Sequence, residues 1–271
     1  MRRSAKQLAV CACAGLAACA TPAADGVGMA STADLSESGT VVTSGPWQAT
    51  LWLSDTFDGT QSRDLDGNVL RVAMTQFAQG GGLDTSVGRP ELEVGKPRVA
   101  DVRDDAKACF DFDVALDLVD EGRWWAGPKI SVNWQDDGDR NGMSGWYENY
   151  IIETASIPPG ELAAGLLDWG QGVYIGDTVH DGGTYRHYRA KHQSWTQYWA
   201  IRQSYRDAGT TSLGPIVAKW EADGLPEELP VDGIKINIET YGPQRGSFTI
   251  TGDVPGHLGR PASLICDATP A

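Results

Sequence analysis

Downstream of Trp47, apolar residues recur mostly at every second position. Phe110, Phe112, Val114, Leu116 and Leu118 alternate with Asp111, Asp113, Ala115 and Asp117. A period of two, with one oily and one wet face, predicts a half-buried antiparallel strand. The same pattern predicts strands over 130–134, 147–153, 185–189, 195–205, 234–239 and 247–251. Asp136-Asp-Gly-Asp-Arg-Asn-Gly142 is turn chemistry between two of them. One segment keeps the helical period. Leu213, Ile216, Val217 and Trp220 fall at i, i+3, i+4 and i+7, Pro215 suits a first turn and Gly224 a stop. Residues 158–168 could hold a short second helix. Many strands with one α-helix predict an all-β sandwich of two antiparallel sheets.

The N-terminus reads as an address. Arg2, Arg3 and Lys6 precede an apolar run over 8–18, shorter than the ~20 residues a membrane span needs. The run ends Leu16-Ala17-Ala18-Cys19, the pattern of a bacterial lipobox. It predicts a lipoprotein signal peptide over 1–18, with Cys19 lipidated after cleavage; an ordinary signal cut beside a chance cysteine is the alternative. Ala20, rather than Asp, follows the cysteine, which predicts an outer-membrane lipoprotein, periplasmic or at the cell surface. Residues 19–45, rich in Ala, Gly, Ser and Thr, read as a flexible tether. The domain is then 46–271.

The net charge is −14, with 21% of residues charged and 41% hydrophobic. This excludes a basic nucleic-acid surface and a disordered acidic tail, and leaves a neutral ligand such as a glycan open. Once Cys11 and Cys13 leave with the signal and Cys19 carries lipid, Cys109 and Cys266 remain as an even pair. In an exported chain they read as a disulfide, of roughly 4–5 kcal/mol in the chain-entropy model; two buried thiols are the alternative. The four histidines lack metal-ligand spacing and read as solvated.

Alternation also places chemistry. Glu148 and Tyr150 share a face, Gln197 and Trp199 share another, and Glu239 points away from Ile234, Ile236 and Ile238. Two carboxylates on separate strands, among aromatic and amide side chains, suit a glycan site. Asp111, Asp113 and Asp117 read as a solvated face, and Trp124-Trp125 as either a sugar platform or a packing plug.

Taken in order, Glu148-Asn-Tyr-Ile-Ile-Glu153, Tyr185-Arg-His-Tyr188, Thr196-Gln-Tyr-Trp-Ala-Ile-Arg-Gln203, Ile238-Glu-Thr-Tyr-Gly242 and Gly246-Ser-Phe-Thr-Ile250 resemble family 11 glycoside hydrolases, the β-jelly-roll endo-β-1,4-xylanases. The resemblance covers about 128–252, nearly half the chain. It implies a β-jelly roll that hydrolyses β-1,4-xylan with retention, needs no cofactor and acts as a monomer. Glu148 would be the nucleophile and Glu239 the acid and base. Tyr150 would touch the sugar beside the nucleophile, Gln197 would hydrogen-bond near it and Trp199 would line the cleft. The family's thumb hairpin is shortened or missing, since only Arg189-Ala-Lys-His-Gln-Ser194 separates its flanking motifs. Another β-glycan as substrate, or a non-catalytic glycan-binding lipoprotein, therefore stays open. Residues 46–127 align poorly. Asp139 reads as a turn residue, although one alignment makes it the partner of the acid. Trp47 or Trp52 could supply a distal sugar platform.

Overall fold

A computed structural model describes residues 33–34, 41–53, 59–76, 82–88, 97–133, 146–169, 172–191 and 195–253. They form two packed sheets. The smaller contains β1 (Ala33–Asp34), β4 (Gly59–Asp66), β5 (Val69–Gln76), β7 (Lys107–Leu118), β14 (Ala208–Ser212) and β16 (Gln244–Asp253), in the order β1-β4-β5-β16-β7-β14. The larger contains β2 (Val41–Ser44), β3 (Trp47–Leu53), β6 (Gly82–Gly88), β8 (Arg123–Asn133), β9 (Trp146–Ile152), β11 (Val173–His180), β12 (Gly183–Lys191), β13 (Trp195–Arg202) and β15 (Val231–Tyr241), in the order β11-β12-β13-β9-β8-β15-β6-β3-β2. A two-residue β10 (Thr154–Ala155) pairs with β8. Every predicted strand is present.

The core forms where the period-two faces meet. Leu51, Leu65, Leu70, Val72, Phe110, Phe112, Ile234, Ile236, Ile238, Phe248 and Ile250 are all buried in it. The sheets approach closely at Gly252, where a Cβ would lie 2.3 Å from Ile236 Cγ1. Asp111, Asp113 and Asp117 face solvent, and Asp117 pairs with Arg245 at 2.8 Å. They line no cleft.

Several expectations are corrected. The larger sheet is not wholly antiparallel: β9 and β13 run parallel, Glu148 beside Gln197 and Tyr150 beside Trp199. The intervening chain, a helix followed by the β11–β12 hairpin, makes the long crossover a parallel pair needs. Strand structure also begins before residue 46. Val41–Ser44 pairs with β3, burying Val42, and Ala33–Asp34 pairs with β4. His187 is buried rather than solvated, 2.8 Å from Thr178 Oγ1, and burial pushes its pKa down to about 3. Cys109 is disulfide-bonded; its expected partner Cys266 lies outside the described residues, as do Cys19, Asp139, His192, His257 and the 136–142 turn.

Among the described residues three helices, rather than one, join the strands. The expected helix is α3 (Gly214–Ala222), with Pro215 in its first turn and Ile216, Val217 and Trp220 buried. The second, α2 (Pro159–Trp169), starts on Pro159 with Glu161 in its first turn. It lays Leu162, Ala163 and Leu166 against Ile152, Tyr188, Trp199 and Ile201 of the larger sheet. The third, α1 (Val99–Asp105), has Arg98 instead of a hydroxyl or carboxamide at its N-cap; the Asp101 carboxylate reaches back to the Arg98 N–H at 2.7 Å. Among the described residues no helix is long and apolar enough to cross a membrane.

Candidate active site

The face of the larger sheet turned away from the sandwich core gathers the candidate residues. On β15, Ile234, Ile236 and Ile238 pack inward, so Lys235, Asn237 and Glu239 point to the opposite face. On β9, Ile151 enters the core and Glu148 and Tyr150 do not. Strand β8 lies between them, Lys129 opposite Tyr150 on one side and Trp125 opposite Glu239 on the other. At Gly127 β8 passes close to β9: its φ is +157°, and a Cβ there would strike the Ile151 carbonyl oxygen at 1.8 Å. Glu148 and Glu239 come together although they sit in different cross-strand rows.

Carboxylate oxygens of Asp84, Glu148 and Glu239 all lie within 4.8 Å of one another. Such a triad could ligate a divalent cation, but the ammonium of Lys129 already sits among the same oxygens. Its Nζ is 2.5 Å from Asp84 Oδ2, 2.6 Å from Glu148 Oε1 and 3.8 Å from Glu239 Oε1. Burial alone would lower the lysine pKa; the charges of Asp84, Glu148 and Glu239 reverse that and hold it charged. The ammonium also lies 4.9 Å from the centre of the Tyr150 ring.

The two glutamates are held in different protonation states. Burial pushes Glu148 up, but the Lys129 charge and hydrogen bonds from Lys129, Tyr150 and Gln197 outweigh it and hold Glu148 below its ordinary range. The Gln197 amide donates to Glu148 Oε2 at 3.1 Å. Glu239 lies well above its ordinary range. Burial is the first cause and the Asp84 charge the second, with Glu148 adding to them against Lys129 and Tyr150. Tyr150 OH donates to Glu239 Oε1 at 2.6 Å, and Tyr241 OH to Oε2 at 3.3 Å. One carboxylate ionised beside one protonated is the division that nucleophile and general acid require. Oxygens within 4.8 Å of one another put the two carboxyl groups nearer the ~5–5.5 Å spacing of retaining glycosidases than the ~6.5–9.5 Å of inverting ones.

The structure brings all five predicted residues into one cluster but gives two of them a different part. Trp199 is 2% exposed and Tyr150 4%. Tyr150 stacks on Trp199 with centroids 4.4 Å apart, Trp199 meets Trp125 edge-on at 5.8 Å, and Trp125 stacks on Tyr241 at 4.9 Å. With α2 against its other side, Trp199 does not line an open cleft; it packs behind Tyr150, and its indole N–H donates to Gln197 Oε1 at 3.4 Å. Tyr150 acts through its hydroxyl on the carboxylates. Trp125 is thus a packing residue, and Trp124 packs against the core. Trp47 is buried, whereas the half-buried Trp52 lies on the site's face opposite Asp84.

No motif in the sequence marks Asp84 or Lys129. Asp84 is the cross-strand neighbour of Glu239, the place one alignment gives to Asp139. With its side-chain amide turned to satisfy both acceptors, Asn237 donates to Thr85 O at 3.1 Å and Asp84 Oδ1 at 2.5 Å. Alternation around Ile130 and Val132 puts Lys129 off the core face, but only the strand register shows what it meets. Glu153, within the first motif, proves structural: fully buried, it accepts from Tyr185 at 2.7 Å, Arg206 at 2.9 Å and also Thr211.

The chain is similar to known proteins in sequence and in fold. An endo-1,4-β-xylanase A from Piromyces sp is 35% identical over 88 residues, which is 32% of this chain and 13% of that protein. An endo-1,4-β-xylanase A from Bacillus pumilus is 29% identical over 115 residues, 36% of this chain and 46% of that protein. The chain thus spans less than half of either relative. The solved family 11 xylanase of Neocallimastix patriciarum superposes with a TM-score of 0.64 at 18% identity, covering 83% of this chain and 99% of that one. No family model matches. The fold is the β-jelly roll of the family 11 xylanases, and the resemblance in sequence is to proteins of that name.

Proposed function

We propose, from a chain with the family 11 jelly roll and two unlike glutamates facing one another, that it is an endo-acting retaining glycoside hydrolase of β-1,4-xylan. The observation that carries this is the Glu148–Glu239 pair, held within 4.8 Å around Lys129 and Tyr150. Glu148, ionised, attacks the anomeric carbon while Glu239 gives its proton to the leaving oxygen; the glycosidic bond breaks and a glycosyl ester forms on Glu148. Esterification removes the Glu148 charge. One of the charges that raised Glu239 is then gone, so Glu239 stays ionised after giving up its proton and can take one from the water that releases the sugar. Lys129 holds Glu148 ionised before attack, and Gln197 fixes the rotamer of its carboxylate.

A different β-glycan is the second reading. It is favoured by the β12–β13 connection, which from Lys191 to Trp195 leaves three residues, too few for a long hairpin. We also propose that the protein is monomeric, that Cys109 pairs with Cys266, and that Cys19 carries a lipid anchor in the outer membrane. The test is reducing-sugar release from arabinoxylan, glucuronoxylan, mixed-linkage glucan and carboxymethylcellulose. Release from a xylan, lost by at least about 10³-fold in Glu148→Gln, supports the reading, since that change removes the nucleophile. Release from glucan alone moves the substrate to the second reading. No release from any polymer leaves glycan binding without catalysis.

A further inference from the structure

The strand that carries Glu239 also carries Lys235, four residues earlier on the same face. Strand rise puts it about 13 Å from the acid. Its ammonium is partly buried and donates to Thr50 Oγ1 at 2.7 Å; Thr50 Oγ1 in turn shares a hydrogen bond with Ser86 Oγ at 3.0 Å. Among the described residues Lys235 forms no ion pair. Lys129, its direct partner across the β8–β15 register, has three carboxylates.

This placement is unfavourable for the free protein. Like charges directly opposite one another weaken a sheet, and a cation taken from water without a counter-charge costs more. Burial first, then the Lys129 charge, pushes the Lys235 pKa down to about 8, and Asp84 offsets this only in part. Packing does not require an ammonium here, because Ile234 and Ile236 on either side make the core contacts of this stretch. On a chain of net charge −14, a cation with no ion pair among the described residues, beside two hydroxyls on the site's face, is a ready receptor for an anion.

We propose that Lys235, with the hydroxyls of Thr50 and Ser86, binds a carboxylate carried by the glycan, as a uronic acid unit or branch removed from the scissile linkage. The assignment rests on the glycan-hydrolase reading and narrows its substrate to acidic glycans. The carboxylate accepts a charge-assisted hydrogen bond from Lys235 and supplies the missing counter-charge. Asp84, the acid of β6, is held by Lys129 at 2.5 Å and not by Lys235.

The test is titration calorimetry on the full chain carrying Glu148→Gln, which prevents turnover. The probes are glucuronic-acid-substituted xylo-oligosaccharides, the same oligosaccharides after carboxyl reduction, and oligogalacturonides. The acidic xylo-oligosaccharides should bind about tenfold more tightly than the reduced ones, as expected for one hydrogen bond to a charged group. Lys235→Met should bring that ratio to near one, and Lys235→Arg should keep most of it. Thr50→Val, which leaves the charge and removes a hydroxyl, should reduce the ratio without abolishing it, and serves if the Met variant does not fold. Equal affinity in the parent, a preference that survives loss of Lys235 or is left undiminished by Thr50→Val, or no binding of any acidic probe would overturn the site. Lys235-dependent binding of oligogalacturonides, with no binding of either xylo-oligosaccharide, would keep the carboxylate site and reject xylan.

Discussion

Lys129 is the residue on which the electrostatics of the site turn. It lowers the pKa of both glutamates, by direct contact with Glu148 and from 3.8 Å with Glu239. The acid limb of the activity profile follows deprotonation of Glu148, and the alkaline limb follows loss of the proton from Glu239. Removing the ammonium raises both pKa values, so Lys129→Met should move both limbs to higher pH. It also leaves three carboxylates without their shared cation, a loss of about 3–5 kcal/mol of stability for a broken buried pair. The check is a pH profile of kcat/KM beside a urea unfolding curve. A profile that stays in place while stability falls would make Lys129 structural only. At this scale the sequence was only partly legible. Glu148, Glu239 and Gln197 stand in motifs that can be read locally. Asp84, Lys129 and Lys235 gain their meaning from cross-strand register, which no local pattern states.

Helix α2 sets how the site is walled. Its apolar side, Leu162, Ala163 and Leu166, closes over Ile152, Ile201 and Trp199, and Trp199 in turn backs the Tyr150 ring. The helix therefore supports the tyrosine whose hydroxyl reaches Glu239. Leu166 is 5% exposed, and Leu166→Ala should cost about 2–4 kcal/mol by loss of burial and the cavity left behind. It should also lower kcat more than it raises KM, because the loosened Tyr150 acts on the reacting groups. Urea unfolding and steady-state kinetics check this; a cost under about 1 kcal/mol would mean that the helix only decorates the sheet. Composition at 158–168 hinted at this helix, and heptad-like spacing found α3. Helix α1 escaped because it is seven residues long and begins on an arginine. The alternation that found β7, β9 and β15 could not show that β9 and β13 run parallel, since direction depends on the crossover between them.

Over the whole molecule, the two sheets divide the work. The smaller one turns Asp111, Asp113 and Asp117 to solvent and closes the core, while the larger places its charged residues on its outer face around Lys129. A sandwich read from alternation alone reached this architecture, and the quoted motifs pointed to the face that carries the site. The central claim is that the paired glutamates act by double displacement. The most direct measurement is proton NMR of the anomer first released from a xylo-oligosaccharide, recorded before mutarotation. The account predicts the β-anomer, the configuration of the bond cleaved, because two inversions through Glu148 restore it. The α-anomer as first product would mean a single displacement by water, and would contradict both the role of Glu148 and the close carboxylate spacing on which the account is built.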